Sequence, residues 1–188
     1  MMQLGEILDS VYKLAPASIE KMEAEATLRH YAKGDRLVVQ DRPCRSVFFA
    51  ADGLCRSLHE QDGREDTRWF ATPGDVFTSV SAWHNDEPAI FSIEAITPLS
   101  CYVISFQAMR RLLAEDEGIR QWTLRLLSES LYVLEKRYTI IGRGSARERY
   151  EALLQGRPKE MINLIPLKYI ASYLKITQET LSRIRGAR

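Results

Sequence analysis

Apolar and polar positions change rhythm along this chain. Near the start they keep a helical period. Leu4, Ile7, Leu8 and Val11 share one face, and helix-like spacing covers residues 3–13 and again 17–28. From about residue 30 to 105 the rhythm shortens. Turn signals recur as "AKGD" at 32–35, "DRP" at 41–43, "ADG" at 51–53, "QDG" at 61–63, "TPGD" at 72–75, "NDEP" at 85–88 and "TP" at 97–98. Between them lie short β-branched or aromatic runs: "RLVV", "SVFFA", "LCRSL", "TRWF", "IFSIEAI" and "SCYVIS". Short strands at regular spacing with Gly, Asp and Pro turns predict an all-β sandwich or barrel. No βαβ alternation is present, which argues against a parallel nucleotide-binding sheet.

After residue 105 the pattern becomes helical again. "FQAMRRLLAED" predicts a short helix, and Gly118 interrupts it. The next stretch, "IRQWTLRLLSESLYVLEKRYTII", reaches Gly142 with neither Pro nor Gly. Within it Leu124, Leu127, Leu131, Leu134, Tyr138 and Ile141 alternate at spacings of three and four, a heptad seam. Such a helix either lies on its own β domain or pairs with its copy. The strict alternation and the flanking Arg125, Glu129, Glu135, Lys136 and Arg137 favour pairing. "GRGS" at 142–145 reads as a hinge in which Gly142 and Gly144 end the long helix and Ser145 caps the next, "ARERYEALLQG". The predicted organisation is therefore a β domain with flanking helices over 1–117, a dimerisation helix over 118–141 and a small helical unit over 142–188.

The final segment, "LKYIASYLKITQETLSRIRGAR", fits a helix-turn-helix position by position. Pro166 suits a first helical turn. Ile170 and Leu174 lie on one face, and Ala171 is small where the second helix crosses. Ile176 points inward from the turn, and Leu181 and Ile184 face the first helix. Thr177 can cap the second helix. Gln178, Glu179, Ser182, Arg183 and Arg185 are left outside, a set able to address base edges. Thr177 and the helix N-terminus can hold a phosphate, and Lys168 and Lys175 complete the expected DNA-binding set. One position departs from the pattern. The turn can need φ > 0 and commonly carries Gly, whereas here it is Lys175. That costs on the order of 1 kcal/mol if the backbone is unchanged.

Charge distribution sharpens this picture. Residues 141–188 hold ten Lys and Arg against four Asp and Glu, while the other 140 residues hold 16 against 21. A basic tail on an acidic body suits a polyanion-binding module joined to a part that need not touch the polyanion. No run is long enough for a membrane span, and the N-terminus lacks the apolar core of a secretory signal. Cys44, Cys55 and Cys101 are odd in number and widely spaced, which predicts neither disulfides nor a zinc site and fits a cytoplasmic protein. Enzyme chemistry finds no support. His30, His59 and His84 are scattered, with no clustered metal ligands, Gly-rich phosphate loop or nucleophile motif.

These features together resemble the cAMP receptor protein and FNR (Crp-Fnr) superfamily of transcription factors. "YAKGDRLVVQDRPCRSVFFAADGLCRSLHEQDGREDTRWFATPGD" is similar to that family's β-roll opening, and "IASYLKITQETLSRI" to its recognition motif. The resemblance implies an α+β fold: an antiparallel β-roll (double-stranded β-helix) flanked by helices, a long dimer helix and a C-terminal helix-turn-helix. It implies a homodimer on near-palindromic double-stranded DNA, with Gln178, Glu179 and Arg183 at base-reading positions and RNA polymerase as a further partner.

The family's cyclic-nucleotide cassette is not matched. Its members carry Gly-Glu after the "PGD" turn and Arg-Ser or Arg-Thr about ten residues later. Here Thr78-Ser79 and Ala89-Ile90 occupy those places. A buried cyclic phosphate without its Arg keeps a desolvation cost of several kcal/mol. No cofactor is expected, and cAMP is not expected to bind in the family's mode. An open effector pocket would be apolar, with Phe77, Ser79, Val80, Trp83, Ala89, Ile90 and Tyr132 as its candidate lining; a filled pocket is the alternative. The first 43 residues hold no cysteine for an iron–sulfur cluster. The competing functional reading is a ligand-sensing or protein-interaction β-roll whose terminal hairpin does not bind DNA.

Overall fold

The computed structural model describes residues 1–155 and 159–186, with the backbone alone at Ile140, Arg143 and Lys159. Gly156, at the end of the predicted "ARERYEALLQG" helix, lies outside the described residues. Two N-terminal helices, α1 (Leu4–Val11) and α2 (Pro16–Glu25), precede eight strands: β1 (Thr27–Tyr31), β2 (Arg36–Val38), β3 (Ser46–Asp52), β4 (Cys55–Gln61), β5 (Arg64–Ala71), β6 (Val76–Phe77), β7 (Ser92–Ala95) and β8 (Leu99–Ser105). A one-and-a-half-turn helix, α3 (Val80–Asn85), sits between β6 and β7. The helices α4 (Phe106–Glu115), α5 (Glu117–Arg143), α6 (Ala146–Gln155), α7 (Lys159–Leu164), α8 (Leu167–Leu174) and α9 (Gln178–Gly186) follow.

The strands form two antiparallel four-stranded sheets, ordered β1-β8-β3-β6 and β2-β7-β4-β5. This is the predicted β-roll. The β4–β5 hairpin turns on Asp62 and Gly63, both at positive φ, as the Asp-Gly signal requires. Gly53 is needed for a second reason. It lies at φ 81°, and a Cβ there would come within 2.1 Å of the Pro98 carbonyl oxygen.

Both sheets are covered on their outer faces, so several strands are buried on both sides. In β3, Phe48 stacks on Phe77 at 5.5 Å inside the roll, while Phe49 meets Trp122 of α5 at 6.1 Å outside it. The indole of Trp122 donates to the Leu8 carbonyl at 2.8 Å, tying α5 to α1. The "SVFFA" run is continuous rather than alternating because both faces are buried. On the other sheet, Leu54, Phe70 and Ile96 face outward into a second core. They share it with Tyr150, Leu153, Ile162, Ile165, Ile170, Ala171, Leu174 and Leu181 of the C-terminal helices.

Some elements fall differently from the sequence expectation. The second helix ends at Glu25, and β1 takes Thr27–Tyr31, because that segment pairs along its whole length with β8. Strand β6 and helices α3 and α7 are additional, all two to six residues long and below the reach of periodicity. Gly118 does not interrupt a helix. The break is at Asp116, whose backbone is extended, and Gly118 lies in the first turn of α5. A Cβ at Gly118 would stand 3.3 Å from Ser18 Oγ, so the glycine admits α2. Gly142 likewise lies within α5, and the helix stops at Gly144–Ser145. Ser145 caps α6 as expected. Its Oγ accepts from Glu148 N at 3.3 Å while Glu148 Oε2 accepts from Ser145 N at 2.7 Å.

Asp116 joins α4, α5 and α2. Its carboxylate accepts from Ile119 N at 3.1 Å as the α5 cap, from Ser18 Oγ at 3.0 Å and from Lys21 Nζ at 2.7 Å. The Lys21 ammonium above all, then the amide and hydroxyl donors, hold its pKa below the ordinary 3.8. A depressed carboxyl pKa stabilises the fold above the ordinary value, and that stability is lost as pH falls through the lowered one. Asp116→Ala should therefore lower the unfolding free energy at pH 7 by about 2–3 kcal/mol. In urea titrations the gap from wild type should narrow as pH drops below 3.8; a gap constant across that window would contradict the assignment.

Candidate nucleic-acid interface

Helices α8 and α9 pack as a helix-turn-helix. Ile170, Leu174 and Leu181 are fully buried between them, Ala171 is 3% exposed at the crossing, and Ile176 and Ile184 fill the edge. The turn closes by a six-residue Schellman bond, Ile176 N to the Ala171 carbonyl at 3.0 Å. Thr177 caps α9, its Oγ1 accepting from Thr180 N at 3.2 Å. This geometry leaves Thr177, Gln178, Glu179, Ser182 and Arg183 exposed along one helix. The structure brings these five predicted residues together on the surface of α9.

The remaining predicted contacts are placed less simply. Arg185 is half-buried and donates to Asn163 Oδ1 of α7 at 3.1 Å. Lys168 is exposed with its ammonium 4.9 Å from the Tyr169 ring centre. Lys175 adopts φ 55°, ψ 46°, so the turn is the one that favours Gly. Its ammonium is not free, because it is ion-paired with Asp66 on β5.

A contact surface invisible in the sequence sits behind this motif. Helix α8 lies on the outer face of the β4–β5–β7 sheet. Arg56 of β4 is 1% exposed, and its guanidinium stacks 3.5 Å from the Tyr169 ring centre. It is paired with Glu65 and with Glu94 at 3.2 Å, and donates to Thr67 Oγ1 at 3.3 Å. Phe70 packs on Tyr173 at 5.3 Å, and Arg137 of α5 covers the same Tyr173 at 4.5 Å. Burial pushes the Arg137 pKa down, with the neighbouring Arg68 adding to the effect. Ser172 Oγ accepts from Thr67 N at 2.9 Å, next to the bulge in the β4–β5 pairing. A charged residue near the start of a strand gave no sequence signal for such a contact.

The candidate effector residues are divided between core and surface. Phe77 is buried inside the roll, stacked on Phe48 and tilted against Trp69, each at 5.5 Å. Ala89 is buried with its backbone bonded to the 41–42 turn. Trp83 stands edge-on to Phe106 at 5.0 Å, and Ser79 Oγ lies 3.1 Å from Ser81 Oγ. Val80, Ile90 and Tyr132 are more than half exposed. A surface cavity beside Cys44, Arg45 and Arg110 and another beside His59, Arg64 and Arg68 touch none of the seven. The aromatic contacts of Phe77 accord with the filled-pocket alternative at that position.

On α5 the predicted seam faces solvent. Leu124, Leu127, Leu131, Leu134 and Tyr138 are 50–84% exposed, and Ile141 is half-buried. Among the described residues no cluster of potential metal ligands occurs, and no helix is long and apolar enough to cross a membrane.

Residues 28–116 match the cyclic nucleotide-binding domain family. FixK2 from Bradyrhizobium japonicum superposes with a TM-score of 0.76 at 24% identity, covering 86% of this chain and 83% of that one. The regulator CLP from Xanthomonas campestris, described as c-di-GMP responsive, gives 0.72 at 14% identity, covering 90% and 89%. The catabolite activator protein of Thermus thermophilus gives 0.61 at 19% identity, covering 96% and 85%. No curated protein sequence matches the chain.

Proposed function

We propose that this chain, which has the Crp-Fnr fold and a cyclic nucleotide-binding-type domain over residues 28–116, is a sequence-specific DNA-binding transcriptional regulator acting as a homodimer. The observation that carries the reading is the exposed row of Gln178, Glu179, Ser182 and Arg183 on a helix capped by Thr177 within a packed helix-turn-helix. Arg suits guanine O6 and N7, Gln suits adenine, and Glu accepts from cytosine N4. The N-terminus of α9, with Thr177 beside it, suits a phosphate. Arg185, held by Asn163, is a secondary contact. The role is regulatory rather than enzymatic, and a DNA partner implies a cytoplasmic protein, in keeping with three free cysteines. RNA polymerase is the partner through which such a regulator would act.

Dimerisation is supported by the α5 seam. A row of large apolar side chains left in water on a 27-residue helix is the kind of surface that a second copy covers. The packing of Phe77 against Phe48 and Trp69 and the absence of an Arg at Ala89-Ile90 support a β-roll that does not take cAMP in the family's mode.

Selection of bound DNA from a random pool, followed by footprinting, tests the reading. It should enrich a near-palindrome with half-sites one helical turn apart. Arg183→Ala should then lose about 1–3 kcal/mol on that site and relax its sequence preference. If nothing is enriched, the β-roll is a sensing or interaction module with a helical hairpin that does not bind DNA. Leu131→Asp places a charge in the seam and should convert the sedimenting species from dimer to monomer; a dimer that survives it uses another interface. Calorimetry with cAMP should record no binding, and a micromolar isotherm would overturn the cassette argument.

A further inference from the structure

The turn residue Lys175 sits where an L side chain is disfavoured, and nothing in the turn itself uses that side chain. The backbone closure is complete without it. Lys175 N donates to the Ser172 carbonyl at 3.1 Å and Ile176 N to the Ala171 carbonyl at 3.0 Å. What the side chain does lies elsewhere. Its ammonium pairs with Asp66 on β5, which also lies 3.1 Å from Arg68 Nε. Three residues earlier in the same helix, Ser172 Oγ takes the Thr67 amide at 2.9 Å. From the other side, Arg149 of α6 donates to the Leu174 carbonyl at 2.8 Å and to the Gly144 carbonyl at 2.9 Å. The turn that launches α9 is thus held at once by the β-roll and by the break that follows α5.

We propose that Lys175 is a positioning residue: its ion pair with Asp66 is a strap by which the β4–β5 hairpin sets the bearing of the reading helix. The strap keeps α9 in a pose whose reading face is open, since Gln178, Glu179, Ser182 and Arg183 are exposed while it is closed. The hairpin is then a control surface for DNA binding, separate from the seam on α5. This deepens the DNA-binding reading and rests on it. It also reassigns Lys175 from phosphate contact to internal strap. Lys175 and Asp66 side chains are 41% and 29% exposed, so the pair is open to competition by salt or by another charged group.

The test uses the full chain and four variants: Lys175→Arg, Lys175→Met, Asp66→Asn and the Met/Asn double. Hydrogen exchange without DNA reports the docking directly. Amides of 167–176 and 64–70 should exchange faster in both uncharged single variants and keep their wild-type rate in Lys175→Arg. On the selected site, both should bind roughly 3–10-fold more weakly, and the double variant no worse than either single, since one interaction is lost only once. A phosphate-contacting Lys175 gives a different outcome. Lys175→Met would weaken binding while Asp66→Asn left it unchanged or tightened it, and the strap would be overturned. Unchanged exchange in both singles overturns it whatever DNA does. Faster exchange in a protein that binds no DNA keeps the strap as a docking device and removes the DNA-binding reading instead.

Discussion

A guanidinium with 1% of its surface exposed must find its counter-charges inside the protein, and Arg56 finds them where two parts of the chain meet. Desolvating it costs several kcal/mol, recovered only if charge and hydrogen-bond geometry are both supplied. Glu65 and Glu94 provide the charge from the neighbouring strands, Thr67 a hydroxyl acceptor, and Tyr169 of α8 the covering ring. The first three belong to the sheet. The last exists only if the helix-turn-helix docks there. Removing the C-terminal helices would return Arg56 to water and also uncover Leu54, Phe70 and Ile96. The outer face of this sheet is therefore built as one half of an interface, with a polar centre that fixes register and an apolar surround that excludes water.

The opposite sheet solves the same problem with apolar groups. Its outer face is closed by α1, α2, α4 and the start of α5 through Phe49, Trp122 and Ile7, with the Asp116 cluster as a charged knot. Between the sheets, Phe77 packs against both Phe48 and Trp69. The consequence for function is a division of labour. Both sheets spend their outer faces on helix docking and their inner faces on packing. Exposed and chemically distinctive are the seam of α5 and, among others, the row on α9.

In the proposed role, a reading helix without firm support would search orientations before meeting a groove, and that entropy would be subtracted from binding. Here α9 is supported through α8, which is bonded to the sheet by Ser172 and Lys175 and to α6 by the Arg149 contact at Leu174. Lys175 shows the trade most clearly. A local backbone cost of on the order of 1 kcal/mol is accepted in exchange for a long-range tie that glycine cannot make.

Much of this was legible in the residues. The turn signals placed the strands, because Asp62-Gly63 and Gly53 adopt backbone angles few other residues tolerate. The three-four seam marked α5, and the spacing of Ile170, Ala171, Leu174 and Leu181 marked the helix-turn-helix, because both patterns are local and periodic. Sequence also located Lys175 as the odd residue in the turn. It could not say why, since Asp66 lies 109 residues away in a different element. Nor could it separate Phe77 packed between aromatic rings from Phe77 lining a pocket, or Arg56 under a helix from Arg56 in water. Local pattern marks the long periodic elements; short elements such as β6 and α3, the strand at Thr27–Tyr31 that pairs with β8, and the faces that lose their water depend on how distant elements meet, and only the tertiary structure decides those.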